Sequence, residues 1–99
     1  MGDTPFSAVE RATSNFLVTI CRLLTADPNL DVVVTVVPYK DPTDQSVEHR
    51  FMLQVPGQYR GLLIGKRGAT ADAVRTMART FVRSKSCFAD IDVRVKRDV

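Results

Sequence analysis

The sequence predicts a single α+β domain in which a three-stranded mixed sheet carries three helices on one face. The element order is helix, strand, strand, short helix, long helix, strand. Three observations lead there. Two long stretches repeat apolar residues at helical spacing, and three shorter ones are β-branched or alternate with period two. The chain has 99 residues, enough for one compact domain and too few for two. With 44% hydrophobic residues it can fill a core without a metal or disulfide.

Residues 1–6 read as a lead-in and 7–97 as the domain. Ser7 and Glu10 have capping-box spacing, with Pro5 as an alternative helix start. Val9, Ala12, Phe16, Ile20, Leu23 and Leu24 then form an apolar stripe, widened by Leu17 and Cys21, until Asp27-Pro28-Asn29 stops the helix. Leu30–Val37 is a β-branched strand, and Pro38–Ser46 is a polar loop. Glu48–Val55 alternates Phe51, Leu53 and Val55 with Arg50, Met52 and Gln54, and pairs with the first strand as a hairpin. Gln58–Ile64 fits a short helix. Ala69 to about Arg83 fits a long one, buried along Val74, Met77, Ala78 and Phe81. Phe88–Lys96 is the last strand, with Ile91, Val93 and Val95 inward and Asp90, Asp92, Arg94 and Lys96 outward on a wet face. The strand–helix–helix–strand crossover is expected to be right-handed, with its two strands parallel.

Charge is unevenly distributed. The formal net charge is +3, yet Arg60–Lys85 holds seven Lys or Arg residues against the single acid Asp72. The first 59 residues are net acidic, so the positive field gathers around one short segment. Cys21 and Cys87 are too few for a disulfide framework or zinc site and read as small hydrophobes. No apolar run of signal-peptide or membrane-spanning character is present, and the expected compartment is the cytoplasm.

The basic segment centres on Gly61-Leu62-Leu63-Ile64-Gly65-Lys66-Arg67-Gly68-Ala69-Thr70. Gly65 and Gly68 flank two cations, and a helix starting after Gly68 would aim its amino end at the same point, which describes a phosphate seat. A nucleotide P-loop needs four residues between its first glycine and Gly-Lys-Ser/Thr. Here three separate Gly61 from Gly65, and Arg67 occupies the hydroxyl position. A dinucleotide fingerprint needs Gly-x-Gly-x-x-Gly directly after a strand, and this loop follows a helix. A tight helix–helix turn that is basic by chance and a loop gripping a single-stranded nucleic acid backbone remain.

Ile64-Gly65-Lys66-Arg67-Gly68 between two helices resembles the GxxG signature of KH domains. The element order resembles the type II, bacterial, KH topology. Residues 23–32 and 61–70 are similar to the small single-domain KhpA-type RNA-binding proteins. The resemblance covers the chain from first helix to last strand, with a longer 38–46 loop and an extended lead-in. It implies a non-catalytic protein that clamps about four unpaired nucleotides. Gly65 and Gly68 would allow close approach, and Lys66 and Arg67 would supply charge. The amides of Ala69, Thr70 and Ala71 would meet phosphates, and Ile64 with Leu62 or Leu63 would wall an apolar groove. Residues around Met52–Gln54 are candidates for the base-edge side. Arg75, about one and a half turns into the helix, is within reach of a phosphate. Arg79 and Arg83 read as a solvated flank. The implied partners are single-stranded RNA, with single-stranded DNA as the alternative, and a second copy or a KH-containing protein.

No catalytic constellation, metal set or cofactor motif is found. His49 has no patterned nucleophile partner, and Asp90 and Asp92 continue into Arg94 and Lys96, which reads as cross-strand ion pairing. A competing reading is a dimerisation or protein-interaction module, because Val33 and Val37 leave apolar area beside Met52 on the open face.

Overall fold

The computed structural model describes residues 5–40, 42–43, 47–85 and 90–97. Expectations for residues 1–4, Asp41, residues 44–46, the Ser86-Cys87-Phe88 approach to the last strand, and Asp98-Val99 lie outside them.

Helix α1 spans Pro5–Thr25, so the alternative proline start holds and the lead-in is shorter than expected. Its carboxyl end is a Schellman motif. Ala26 is left-handed (φ 55°), its amide donates to Leu23 O at 3.2 Å, and the Asp27 amide donates to Arg22 O at 3.1 Å. The Asp27 carboxylate then accepts the Asn29 amide at 3.0 Å. Leu30 is drawn into this cap rather than the sheet. Its amide donates to Asp27 O, its carbonyl accepts Arg22 Nε at 3.0 Å, and its side chain is buried. Strand β1 therefore begins later than expected, at Val33–Pro38.

Strand β2, Val47–Val55, is central. It pairs antiparallel with β1 (Val33↔Gln54 to Pro38↔His49) and parallel with β3, Asp90–Arg97 (Arg50↔Asp92 to Val55↔Arg97). Helix α2, Gly57–Ile64, and helix α3, Ala69–Ser84, form the crossover between the parallel strands. The fold is α+β in the expected order, a three-stranded mixed sheet under three helices. Phe51, Leu53, Val55, Ile91 and Val93 point from the sheet into a core closed by Leu17, Ile20 and Cys21 of α1, Leu63 of α2, and Val74, Ala78 and Val82 of α3.

Two helix stripes are rotated from expectation. In α1 the buried line is Val9, Thr13, Leu17, Ile20 and Cys21, while Leu23 and Leu24 are exposed. In α3 it is Val74, Ala78 and Val82, and Met77 is 42% exposed. Steps of four residues from Val74 keep one line against the sheet, and residues one position earlier fall on its flank. Phe81 on that flank stacks on Phe16 of α1, centroids 4.5 Å apart and planes 7° from parallel. Met77, one turn earlier on the same flank, stays exposed. Val82→Ala is therefore expected to cost about 2 kcal/mol, and Met77→Ala less than about 1 kcal/mol. Urea titrations of both variants check this, and the reverse order would place the stripe on Met77.

Candidate functional site

Helix α2 ends because Gly65 adopts φ 77°, ψ 175°, a region open in practice only to glycine, while its amide still donates to Gly61 O at 2.9 Å. A single 3₁₀ turn, Lys66–Gly68, follows. Arg67 sits left-handed at φ 56°, ψ 27°, and Gly68 at φ 77°, ψ 12°. The Gly68 amide donates to Gly65 O at 3.1 Å, and the chain re-enters helix at Ala69. The two glycines are required for different reasons. A Cβ on Gly65 would run into the Thr70 hydroxyl and lie 2.8 Å from the Thr70 nitrogen, whereas one on Gly68 would meet nothing within 4 Å. Gly65 is thus fixed by space and conformation, Gly68 by conformation alone.

Lys66 and Arg67 are exposed at the amino end of α3, where no side chain caps the helix. Donors and positive dipole end consequently face outward together with two cations. One of the three amides expected to meet a ligand is already engaged, since Ala69 N–H donates to Lys66 O. Beneath the turn lies a cleft of about 250 Å³. Ile64, Gly68 and Ala71 line its loop side, and Arg75 and Asp72 its helix side. Its floor is Val93, Arg94 and Val95 of β3, with Arg60 at the rim.

Of the residues singled out in the sequence, Ile64, Gly68, Ala71 and Arg75 meet in this cleft. Gly65, Lys66, Arg67, Ala69 and Thr70 form the turn above it. Leu63 is buried in the core and Leu62 is 53% exposed outside the cleft, so Ile64 alone supplies the apolar wall from α2. Met52–Gln54 do not line it. They belong to the central strand, and the strand beside the crossover helices is β3. Arg60, Val93, Arg94 and Val95 were missed. The signal that could have found them is the parallel crossover itself, which leaves the last strand next to the loop.

Arg75 and Asp92 also depart from expectation. Asp92 is 5% exposed rather than wet. It receives Arg50 Nε at 2.7 Å and Arg94 Nε at 3.2 Å on Oδ2, and Arg75 Nε at 3.1 Å on Oδ1. The pairing with Arg50 is a cross-strand ion pair of the kind expected, with a partner the sequence did not name. Arg75 arrives from the helix layer around the edge of β3. Its Nη1 holds Asp72 at 2.6 Å and its Nη2 donates to Val93 O at 3.2 Å. Each of the three Arg75 nitrogens therefore already has a protein acceptor, and the side chain acts as a structural clamp. Arg79, read as a solvated flank, donates to Ile91 O at 2.8 Å. Arg94, by contrast, is bound through Nε, and its terminal nitrogens have no protein acceptor among the described residues. Burial pushes the Asp92 carboxyl up, but the Arg50 hydrogen bond and the charges of Arg94, Arg50 and Arg75 more than offset it, holding the group below 3.8.

Two roomier clefts lie elsewhere. One of about 560 Å³ at the end of α1 is lined by Arg22 and Leu23, but Arg22 Nε is bound to Leu30 O. The other, about 350 Å³ between α1 and α3, is lined by Phe16, Met77 and Phe81. Its Thr76, Thr80 and Ser84 hydroxyls bond carbonyls of their own helix. Among the described residues no group of three or more His, Cys, Asp or Glu gathers to hold a metal. The Cys21 thiol is pushed up to about 11 by burial, leaving it protonated and unreactive at neutral pH. No protein-family model matches the chain, and no curated protein matches it.

Gly65→Ala is expected to cost about 3 kcal/mol and Gly68→Ala about 1 kcal/mol, since only the first adds a clash to the left-handed penalty. Thermal unfolding orders the two, and equal losses would contradict the steric account. For Asp92, a lowered folded-state value means stabilisation that is complete above the unfolded value of 3.8 and lost as pH falls below it. Asp92→Asn should then cost about 2 kcal/mol near neutral pH, less than for a fully buried pair because the arginines keep 21–55% exposure. The gap to wild type closes in acid. A gap that stays constant from neutral pH to pH 2 would remove the ion-pair assignment.

Proposed function

We propose that this chain is a non-catalytic, cytoplasmic, single-stranded RNA-binding protein of the KH type. The observation that carries the reading is the Gly65–Gly68 turn, which holds Lys66 and Arg67 exposed over the uncapped amino end of α3, directly above a cleft. A sugar–phosphate backbone crossing the turn would meet two cations and outward main-chain donors, while bases enter the cleft. Val93, Val95 and Ile64 offer apolar contact there. The terminal nitrogens of Arg94 offer two parallel donors, a match for bases with two adjacent acceptors, as guanine has at O6 and N7. With few aromatics and no tryptophan, affinity rests on these contacts rather than on stacking. No helix among the described residues is long and apolar enough to cross a membrane, which is compatible with this reading.

A second reading has its own support. Val33 is 55% and Val37 36% exposed on the open face of the sheet, beside the half-buried Met52, an apolar area suited to protein contact.

The double change Lys66→Asp, Arg67→Asp separates the two readings, because it reverses the loop's charge without touching the core. Wild type should bind short unpaired RNA with a log–log salt slope of about −1.5 to −3, for two to four phosphates at roughly −0.7 each. The variant should lose most binding and about 1.4 of that slope, with an unchanged melting temperature. Unaltered affinity measured by fluorescence anisotropy would overturn the RNA reading and leave the interaction module.

A further inference from the structure

The cleft and the open face of the sheet share a residue. Arg94 lies on the cleft floor, and it also belongs to the open face, because it alternates with Val93 and Val95, which pack on the core. Between the register pairs Arg50↔Asp92 and Gln54↔Lys96, that face carries Arg50, Arg94 and Lys96 against one acid, Asp92. Asp92 is buried and already shared by three guanidinium groups, so the surface over these pairs is positive.

Arg50 is held in place before any ligand arrives. Its Nε donates to Asp92 Oδ2 at 2.7 Å, and its guanidinium lies over the Tyr39 ring, 3.6 Å from the centroid. The carboxylate occupies one edge and the ring covers one face. Nη1 and Nη2 have no protein acceptor among the described residues. Arg94 Nε donates to the same carboxylate oxygen at 3.2 Å, so two guanidinium forks are anchored on one atom. A fork with two free parallel donors matches a pair of phosphate oxygens, and one already immobilised loses little rotamer freedom on binding. Lys96 is exposed and makes no hydrogen bond or ion pair among the described residues. By the spacings of a sheet, Arg50 lies about 8 Å and Lys96 about 7 Å from Arg94. Those steps are comparable with the distance between successive phosphates of an unstacked strand. A carboxylate-bearing protein segment would feel the same cations. The continuity through Arg94 favours the ligand assigned to the cleft.

We infer that an RNA strand with bases in the cleft continues over β3 onto the open face of the sheet, where Arg50 and Lys96 bind two phosphodiesters beyond those at the Gly65–Gly68 turn. The inference rests on the RNA reading and extends it, because the footprint becomes longer than the roughly four nucleotides that turn and cleft accommodate. It also gives the Arg50–Tyr39 contact a purpose, which is to present a fixed fork on a face otherwise open to water.

The test is a salt series by fluorescence anisotropy on two unpaired RNAs, a four-mer and an eight-mer. For wild type the eight-mer's log–log slope should be steeper than the four-mer's by about 1.4, two phosphates at roughly −0.7 each. Lys96→Gln should remove about 0.7 of the eight-mer slope and leave the four-mer unchanged. Lys96→Glu should weaken the eight-mer further than Lys96→Gln. Arg50→Gln should also flatten the eight-mer slope by about 0.7. Because Arg50 pairs with Asp92, its melting temperature is followed, and if that variant unfolds the two Lys96 variants decide the question. A four-mer carrying a 5′-phosphate should not gain the increment. If it does, the seat takes chain ends and the path over the sheet is wrong. Equal slopes for the two lengths, or an eight-mer slope indifferent to Lys96→Gln, would likewise overturn the inference. A four-mer that needs Lys66 and Arg67, beside an eight-mer that adds no slope, leaves the RNA reading standing without this path. Binding of neither oligomer removes both.

Discussion

The geometry of the site depends on one close approach, between the backbone of Gly65 and Thr70 at the start of α3. With no side chain at Gly65, α2 can end, turn through three residues and re-enter helix without moving away from the sheet. Any Cβ there would push the first turn of α3 outward. The pair of cations would then no longer stand over the helix amino end, and the cleft between turn and β3 would open. The left-handed backbone of Arg67 has the same origin. Four consecutive residues, Gly65–Gly68, reverse the chain, and only the outer two are glycine, so one left-handed position falls on Arg67.

A second constraint ties the helical layer to the strand beside it. Asp92 gathers guanidinium groups from three parts of the sequence: its neighbour on β2, its own strand and α3. A carboxylate that buried would be costly alone, but the hydrogen bond from Arg50 and the charges of Arg94, Arg50 and Arg75 outweigh the desolvation and hold it below the usual carboxylate range. Arg75 joins Asp92, Asp72 and the Val93 carbonyl, so one side chain fixes α3 against the edge of β3. Arg79 repeats the device one turn on. The cations of the segment therefore divide by place: Arg75 and Arg79 on α3 seal the edge of β3, and Lys66 and Arg67 on the turn remain outside.

The positive surplus of the segment is consequently smaller than its composition suggests. Arg75 is neutralised locally by two carboxylates, and Arg79 faces a carbonyl. At the turn and cleft, what stays available to an anion is concentrated at Lys66 and Arg67 and at the terminal nitrogens of Arg94 on the cleft floor. Such an arrangement separates backbone attraction from contact with whatever enters the cleft.

The element order, the crossover and the glycine turn were legible in the sequence because each is written in neighbouring residues. Helical and strand periods, a proline at a helix start and two glycines around two cations need no knowledge of distant contacts. Even there, the stripes of α1 and α3 were placed one position off, since hydrophobicity marks a helix face broadly and packing selects its centre line. What only the tertiary structure decided was lateral. The strand flooring the cleft, the burial of Asp92, the engagement of Arg75 and the inward turn of Leu63 rather than Leu62 follow from which elements lie side by side. Arg50 and Asp92 are 42 residues apart, and Arg75 and Asp92 are 17 apart. A charged residue alternating on a strand reads as solvent-facing until arginines from elsewhere in the chain close over it, and that closure is a property of three-dimensional proximity alone.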